Sequence, residues 1–396
     1  KILKDLIQNA YSKYILRYRS ALTNKNLKRE GSWNLLYPQE VHEMVEKIEK
    51  FCTKSGKISY LKDYFVIRNG LIFIKDDIFI LNDETDLKVE KNNFLVKVKG
   101  EFIRLSNVEK GRLKKIYKSK SIQPYGYNEK DYIGYAIFFN KSEFNCKDKI
   151  KRNQLIANKY PVLAAYLKQF KKELQEILIN AKENPNDFYF PRRGTFIRRF
   201  GKKTNDKLIY LEPFYDQGKK VFFKFISNKN IFGFSNTSYF ATSDTYFLWP
   251  NCSIDNSDYL IILAYLNSKL VHFLFKAKNI RVKRSKTKLE DELPILNLNK
   301  FNSEKNFAIL LLIKFLTSWL IEINRPINRI EIESTRKKLS GLSYFSNLNQ
   351  DDLLCEIIVA LENKDNNFIQ SLIDKLFFQL LELKKEKIDY LLKKYY

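Results

Sequence analysis

"KYPVLAAYLKQFKKELQEIL" occupies Lys159–Leu178, and its periodicity decides how the sequence around it is read. Leu163, Tyr166, Leu167, Phe170, Leu174, Ile177 and Leu178 recur at helical spacing, which puts them on one face of an α-helix. Pro161 suits the first turn, where its missing N–H leaves no bond unmade. Asn184-Pro185 lies just beyond the expected end. The stretch is therefore expected to be one long amphipathic helix with one buried face.

Upstream the pattern changes. From Ile58 to Leu105 short runs of Ile, Phe, Val and Tyr are punctuated by Asn69-Gly70 and Asp76-Asp77. They read as strands joined by tight turns, with Asn-Gly favouring the positive φ of a hairpin. "NNFLVKVKGEFIRL" alternates apolar and basic residues, as a half-exposed strand does, and "YIGYAIFFN" (Tyr132–Asn140) reads as a buried strand. Downstream come strand-like segments through "KVFFKFI" and "SYFATSDTYFLWP", then a second long helix, "SDYLIILAYLNSKLVHFLFKAK" (Ser257–Lys278), with Asn256 or Ser257 as cap. From about Asn302 only helices are expected. The fold class is thus α+β: a mixed-sheet lobe with two long helices, followed by a helical C-terminal bundle. The expected domains are residues 1–50 as a helical lead-in, 51–300 as the main domain and 301–396 as a helical subdomain.

A chain of 396 residues, 44% hydrophobic, is large enough for two or three packed units. The most apolar run, "FAILLLIKFLTSWLIEI" (Phe307–Ile323), is interrupted by Lys314 and reaches Glu322. It reads as a buried core helix, and no membrane association is expected. Cys52, Cys146, Cys252 and Cys355 lie far apart, without a CxxC, and His42 and His272 are the two histidines. A Cys/His zinc site is not expected, and sparse thiols suit a reducing cytoplasm. The chain starts at Lys1, and is expected to be a piece of a longer polypeptide. Neither a Gly-rich phosphate loop nor HExxH occurs, so no catalytic residue is assigned.

The formal net charge is +26. Self-repulsion of that size opposes compaction, and its ordinary explanations are a polyanionic partner or compositional drift. Distribution separates the two. Arg192, Arg193, Arg198, Arg199, Lys202 and Lys203 form one acid-free cluster; Lys276, Lys278, Arg281, Lys283, Arg284, Lys286 and Lys288 form another. Both lie in loop-like sequence beside ordered elements, where recognition residues concentrate. The arginine fork pairs with a phosphate or with guanine O6 and N7. Arg68 and Asn69, in the "IRNG" turn, are candidates for a base edge. Tyr125 and Tyr127, in "QPYGYNEK", are candidates for stacking on bases, with core packing as the alternative.

Several motifs share an order with a known family. "RNGLIFIKDDIFIL", "YPVLAAYLKQFKKEL", "KLIYLEPF", "YLIILAYLNSKLVHFLF", "KLEDELPIL" and the tail "LIDKLFFQLLELKKEKIDYL" resemble, in sequence order, the TaqI-like C-terminal specificity domain of N6-adenine DNA methyltransferases, including fused type IIG restriction–modification enzymes. The resemblance runs from about residue 55 to 396. A family tryptophan before the basic loop is here Phe188-Tyr189, and the "K-I" strand reads Lys207-Leu208-Ile209. The resemblance implies a division of labour. An upstream methyltransferase domain of the same polypeptide binds S-adenosylmethionine and holds a flipped adenine with an Asn-Pro-Pro-Tyr/Phe motif. "NPND" (Asn184–Asp187) is not that motif. This chain would read the sequence and clamp double-stranded DNA, with no cofactor of its own. An RNA-binding or nonspecific nucleic-acid-binding module is the alternative.

Overall fold

The computed structural model describes residues 38–82, 85–139, 141–144, 146, 148–191, 196–198, 208–210, 212–216, 218–227, 229–250, 254–280, 286–322, 334, 337, 356–357, 359–360 and 362–396. They fall into two compact units, one drawn from Lys1–Val66, Ile226–Asn230 and Cys252–Tyr396, the other from Ile67–Phe225 and Ile231–Asn251. The class is α+β, as the periodicities require. The division is not the linear one expected: residues 252–300 belong with the C-terminal helices, because their apolar faces pack there.

The second unit is built on sheets. In chain order its main strands are β1 (Phe65–Asn69, entering the unit at Ile67), β2 (Ile80–Leu81), β3 (Leu87–Glu90), β4 (Asn93–Val98), β5 (Glu101–Arg104), β6 (Leu113–Tyr117), β7 (Tyr132–Ile137), β8 (Phe196–Arg198), β9 (Leu208–Tyr210), β10 (Lys220–Lys224), β11 (Phe232–Ser235), β12 (Phe240–Ala241) and β13 (Thr245–Pro250), with the short pair Ile122–Gln123 and Gly126–Tyr127 beside them. One four-stranded sheet has the order β12–β6–β7–β2 and another β11–β10–β13–β1, while β3–β4–β5 form a meander. The first is mixed: β12 runs parallel to β6, and the other pairs are antiparallel. Aromatic rings fill the core. Tyr239 is fully buried and stacks on Phe222 at 4.0 Å and on Tyr117 at 5.1 Å.

Asn69-Gly70 is not a hairpin. β1 ends there, and the chain runs on into a helical turn at Asp76–Phe79. Gly70 is required for a different reason: a Cβ on it would lie 2.4 Å from the carbonyl oxygens of Ala241 and Thr242. Its neighbour Leu71 donates its N–H to Ala241 O at 2.7 Å. A true two-residue hairpin occurs at Lys99-Gly100, both with positive φ, joining β4 to β5.

Both long helices are broken. Lys159–Leu178 resolves into helices Pro161–Gln169 and Lys171–Asn180, preceded by a separate helix Lys149–Lys159. The break at Phe170 carries no Pro or Gly. Gln169 marks it instead, its Oε1 accepting the N–H of Lys99 in the β4–β5 turn at 2.7 Å. The N-terminus of the Pro161 helix is anchored by Glu109, which is 1% exposed. Its Oε1 accepts Val162 N–H at 2.7 Å and Leu163 N–H at 3.2 Å. Its Oε2 accepts the N–H and hydroxyl of Ser106. A negative group thus meets the positive end of the helix. In "YPVL" Tyr160 and Leu163 are fully buried and Pro161 lacks the N–H that would need a partner.

The first unit is helical. Ser257–Lys278 is bent by 57° between Asp258–Asn267 and Lys269–Ala277. Its cap is Asp255 rather than Asn256 or Ser257. Ser268 causes the bend: extended itself, it caps the second helix, accepting Val271 N–H at 3.4 Å and donating its hydroxyl to Tyr265 O at 2.6 Å. Asn230 secures the outer side, its Nδ2 donating to Leu266 O at 2.9 Å and Ser268 O at 2.8 Å. The "LPI" segment is held in turn. Tyr265 Oη donates to Pro294 O at 3.0 Å, and Leu61 and Ile295 bond across to Leu293 and Ser59. Helix Glu304–Ile321 is the core helix expected, burying Ile309, Leu312, Ile313 and Leu316. The C-terminal run forms Asn366–Leu380 and Lys385–Tyr395, with Glu382 at φ 53 between them. Among the described residues no single helix is long and apolar enough to cross a membrane.

Candidate nucleic-acid interface

Of the first basic cluster, Arg198 lies on a described strand. β8 and β9 pair antiparallel, with Phe196 opposite Tyr210 and Arg198 opposite Leu208. Arg192, Arg193, Arg199, Lys202 and Lys203 lie outside the described residues. Both flanks of the hairpin are fixed. On the upstream side Phe188, Tyr189 and Phe190 are buried. Arg152, 4% exposed, donates to Asp187 Oδ1 at 2.7 Å and to Asn186 O at 2.9 Å, with its guanidinium 4.7 Å from the Phe190 ring. "NPND" is a turn in this anchor, where Asn184 Oδ1 accepts Asn186 N–H at 2.9 Å. On the downstream side Phe214 and Tyr215 are buried, and Asp216 accepts from Lys114 at 2.7 Å. A charged segment rooted at both ends in a rigid core loses less entropy on binding than a free tail.

The second cluster is only partly available. Lys278 is 8% exposed and is held in an ion pair with Glu49 at 2.7 Å. It is a structural cation, and the expectation that it belongs to an acid-free surface is corrected: its partner comes from a helix 229 residues away in sequence. Lys288 approaches Glu292 at 4.0 Å. Lys286 is half-buried and opens the helix Lys286–Glu292. Arg281, Lys283 and Arg284 lie outside the described residues. The helix before them closes cleanly at Asn279, φ 51, with Ile280 N–H bonded to Phe275 O at 2.8 Å.

The turn candidates fare differently. Arg68 is half-buried, and its Nη1 donates to Ile67 O at 2.8 Å; Asn69 is the last residue of β1. Tyr125 is 2% exposed, with φ 64 and its N–H on Phe232 O at 2.9 Å. Tyr127 packs against Tyr239 at 4.5 Å and Tyr117 at 5.1 Å. The stacking expectation is corrected for both: their rings complete the core, and burial raises the Tyr127 hydroxyl above its ordinary range. Among the described residues no three His, Cys, Asp or Glu groups come together as a metal site.

One cationic surface was not singled out from the sequence. Lys88, Lys97 and Arg104 are exposed on the outer face of β3–β4–β5, beside Leu95 and Phe102. The alternation in "NNFLVKVKGEFIRL" carried the signal, but not which face the core would take.

Comparison with known proteins settles the class of the segment bearing both arginine clusters. Residues 143–295 match the TaqI-like C-terminal specificity domain. The match bears out the resemblance for the motifs within it or at its edge, while "RNGLIFIKDDIFIL" and the C-terminal tail lie outside it; the broken helices, the Ser268 bend and the "LPI" anchor are features of the matched segment. Among solved structures the chain is similar to the type IIL restriction–modification enzyme MmeI, in a structure with DNA, at 12% identity and a TM-score of 0.40 over 86% of this chain and 36% of that one. It is similar to the type IIG restriction endonuclease BpuSI at 11% identity and a TM-score of 0.38 over 86% of this chain and 33% of that one. The chain spans about a third of each. No curated protein matches.

Proposed function

We propose that this protein is the DNA target-recognition part of an adenine-specific methyltransferase or of a fused type IIG restriction–modification enzyme. It binds duplex DNA through basic loops and carries no catalytic centre. S-adenosylmethionine belongs to a methyltransferase domain elsewhere in the same polypeptide. Chemistry on adenine N6 demands that division, since the base has to leave the stack to be reached and a second body has to hold the duplex meanwhile.

The observation that carries this reading is that the TaqI-like match, residues 143–295, contains both arginine clusters. Phosphate contacts from these clusters supply affinity, and a few side chains at groove edges supply sequence choice. The packing of Tyr125 and Tyr127 withdraws these two rings from stacking on single-stranded bases.

Duplex binding measured by fluorescence anisotropy across a salt series tests it. With about eight phosphates neutralised, log K falls against log salt with a slope near −7. Replacing Arg192, Arg193, Arg198 and Arg199 by Gln flattens the slope by about 3 to 4. A protein that prefers single-stranded RNA to duplex DNA, or whose affinity ignores salt, would refute the proposal.

A further inference from the structure

We propose that the outer face of the β3–β4–β5 meander is a second duplex-binding surface, one that contacts DNA phosphates and lies outside the TaqI-like segment. This inference rests on the DNA-recognition reading.

The meander has two unlike faces. Leu87, Val96 and Val98 point inward and join the core with Leu163 and Leu167 of the helix Pro161–Gln169. The outer face is set by the register, which places Lys88, Leu95 and Arg104 in one row and Lys97 beside Phe102 in the next. Lys88 Nζ lies 4.8 Å from the Phe102 ring centroid, and Lys97 Nζ lies 5.9 Å from the same centroid. Two ammonium groups thus converge on one ring, with Arg104 in the adjoining row. None of the three has an ion pair among the described residues. Glu90 is an acid on this face, a further row along and opposite Asn93, and Asp86, just ahead of β3, accepts the Lys97 N–H with its carbonyl at 2.9 Å.

Each ammonium gains from the ring quadrupole, and three exposed cations with no ion pair among the described residues make this face complementary to a polyanion. The spacing suits a duplex. Lys88 and Arg104 stand two strand separations apart, about 10 Å, close to the axial rise of three phosphates on one DNA strand. Contacts to phosphates fix register without reading bases, so this surface adds affinity and register rather than sequence choice.

The test is the triple variant Lys88→Gln, Lys97→Gln, Arg104→Gln in the full protein, with duplex binding measured across a salt series. All three side chains are exposed, so the thermal transition should match the parent and serves as the folding control. The expected result is a loss of affinity of about 10-fold or more at 0.15 M salt, equal across duplexes of unrelated sequence, with a slope flatter by about 2 to 3. An unchanged slope and affinity in the variant, while the parent binds duplex, would overturn this inference and leave the proposed function standing. A parent that binds no duplex would overturn both. A loss confined to single-stranded RNA would overturn it in favour of a different polyanion.

Discussion

Replacing Glu109 tests how the TaqI-like segment is held in shape. Glu109 is 1% exposed, and its two oxygens accept from Val162 N–H, Leu163 N–H, Ser106 N–H and the Ser106 hydroxyl. Glu109→Ala leaves three backbone donors without an acceptor and removes the charge from the helix N-terminus. A hydrogen bond to a charged group contributes about 1.5–3 kcal/mol, and a partly buried charge at a helix end up to about 2 kcal/mol. These overlap, because the same contacts are counted twice, so about 4 kcal/mol is expected for the alanine variant. Glu109→Gln keeps one oxygen for Val162 and Leu163 but turns an amide N–H₂ toward the Ser106 N–H; about 1.5 kcal/mol is expected, one charged bond's worth. The protein has two units, so a single melting curve would mix their transitions. Hydrogen exchange resolved by peptide avoids this. Segments spanning residues 149–180 should lose protection in the order Ala far more than Gln, while peptides from 256–277 should not change. Equal losses in the two variants would refute the reasoning, since Gln fills the same space and keeps an oxygen for Val162 and Leu163, so the cost would then come from the lost charge and not from orphaned donors.

Other perturbations address the helical unit. Glu49→Ala strands the buried Lys278 ammonium, and about 3 kcal/mol of destabilisation is expected; Glu49→Leu with Lys278→Met should recover most of it, read by urea unfolding of both variants. Asp374 is held up to about 6 by burial, against the favourable N–H of Lys269 and the Gln370 amide. Its folded value is raised, so its ionisation costs stability in full above pH 6 and costs nothing below about pH 4, where it is protonated in both states. Asp374→Asn, which still accepts the Lys269 N–H, should therefore stabilise the protein by about 2 kcal/mol at pH 7.5, and the gain should vanish as the pH falls from 6 to 4. A pH-independent gain in urea midpoint would contradict the assignment.

Much of this protein was legible in order along the chain. Period-two and helical spacings located strands and helices because burial on one face imposes those repeats locally, and the motif order pointed to the TaqI-like segment because its joints need particular residues. Those joints explain what the motifs do: Pro161 and Leu163 seat a helix on Glu109, Ser268 turns one helix into two, and Pro294 is held by Tyr265. The motifs thus build the scaffold. What the sequence could not show were facts of long-range pairing. It could not show that Glu49 would cancel Lys278, that Tyr125 would be core, or that Gly70 is demanded by the carbonyls of Ala241 and Thr242. Nor could it show that Lys88, Lys97 and Arg104 share one open face. A residue's own neighbours set its periodicity, while its burial and its charge partner are set by chain segments that only folding brings beside it.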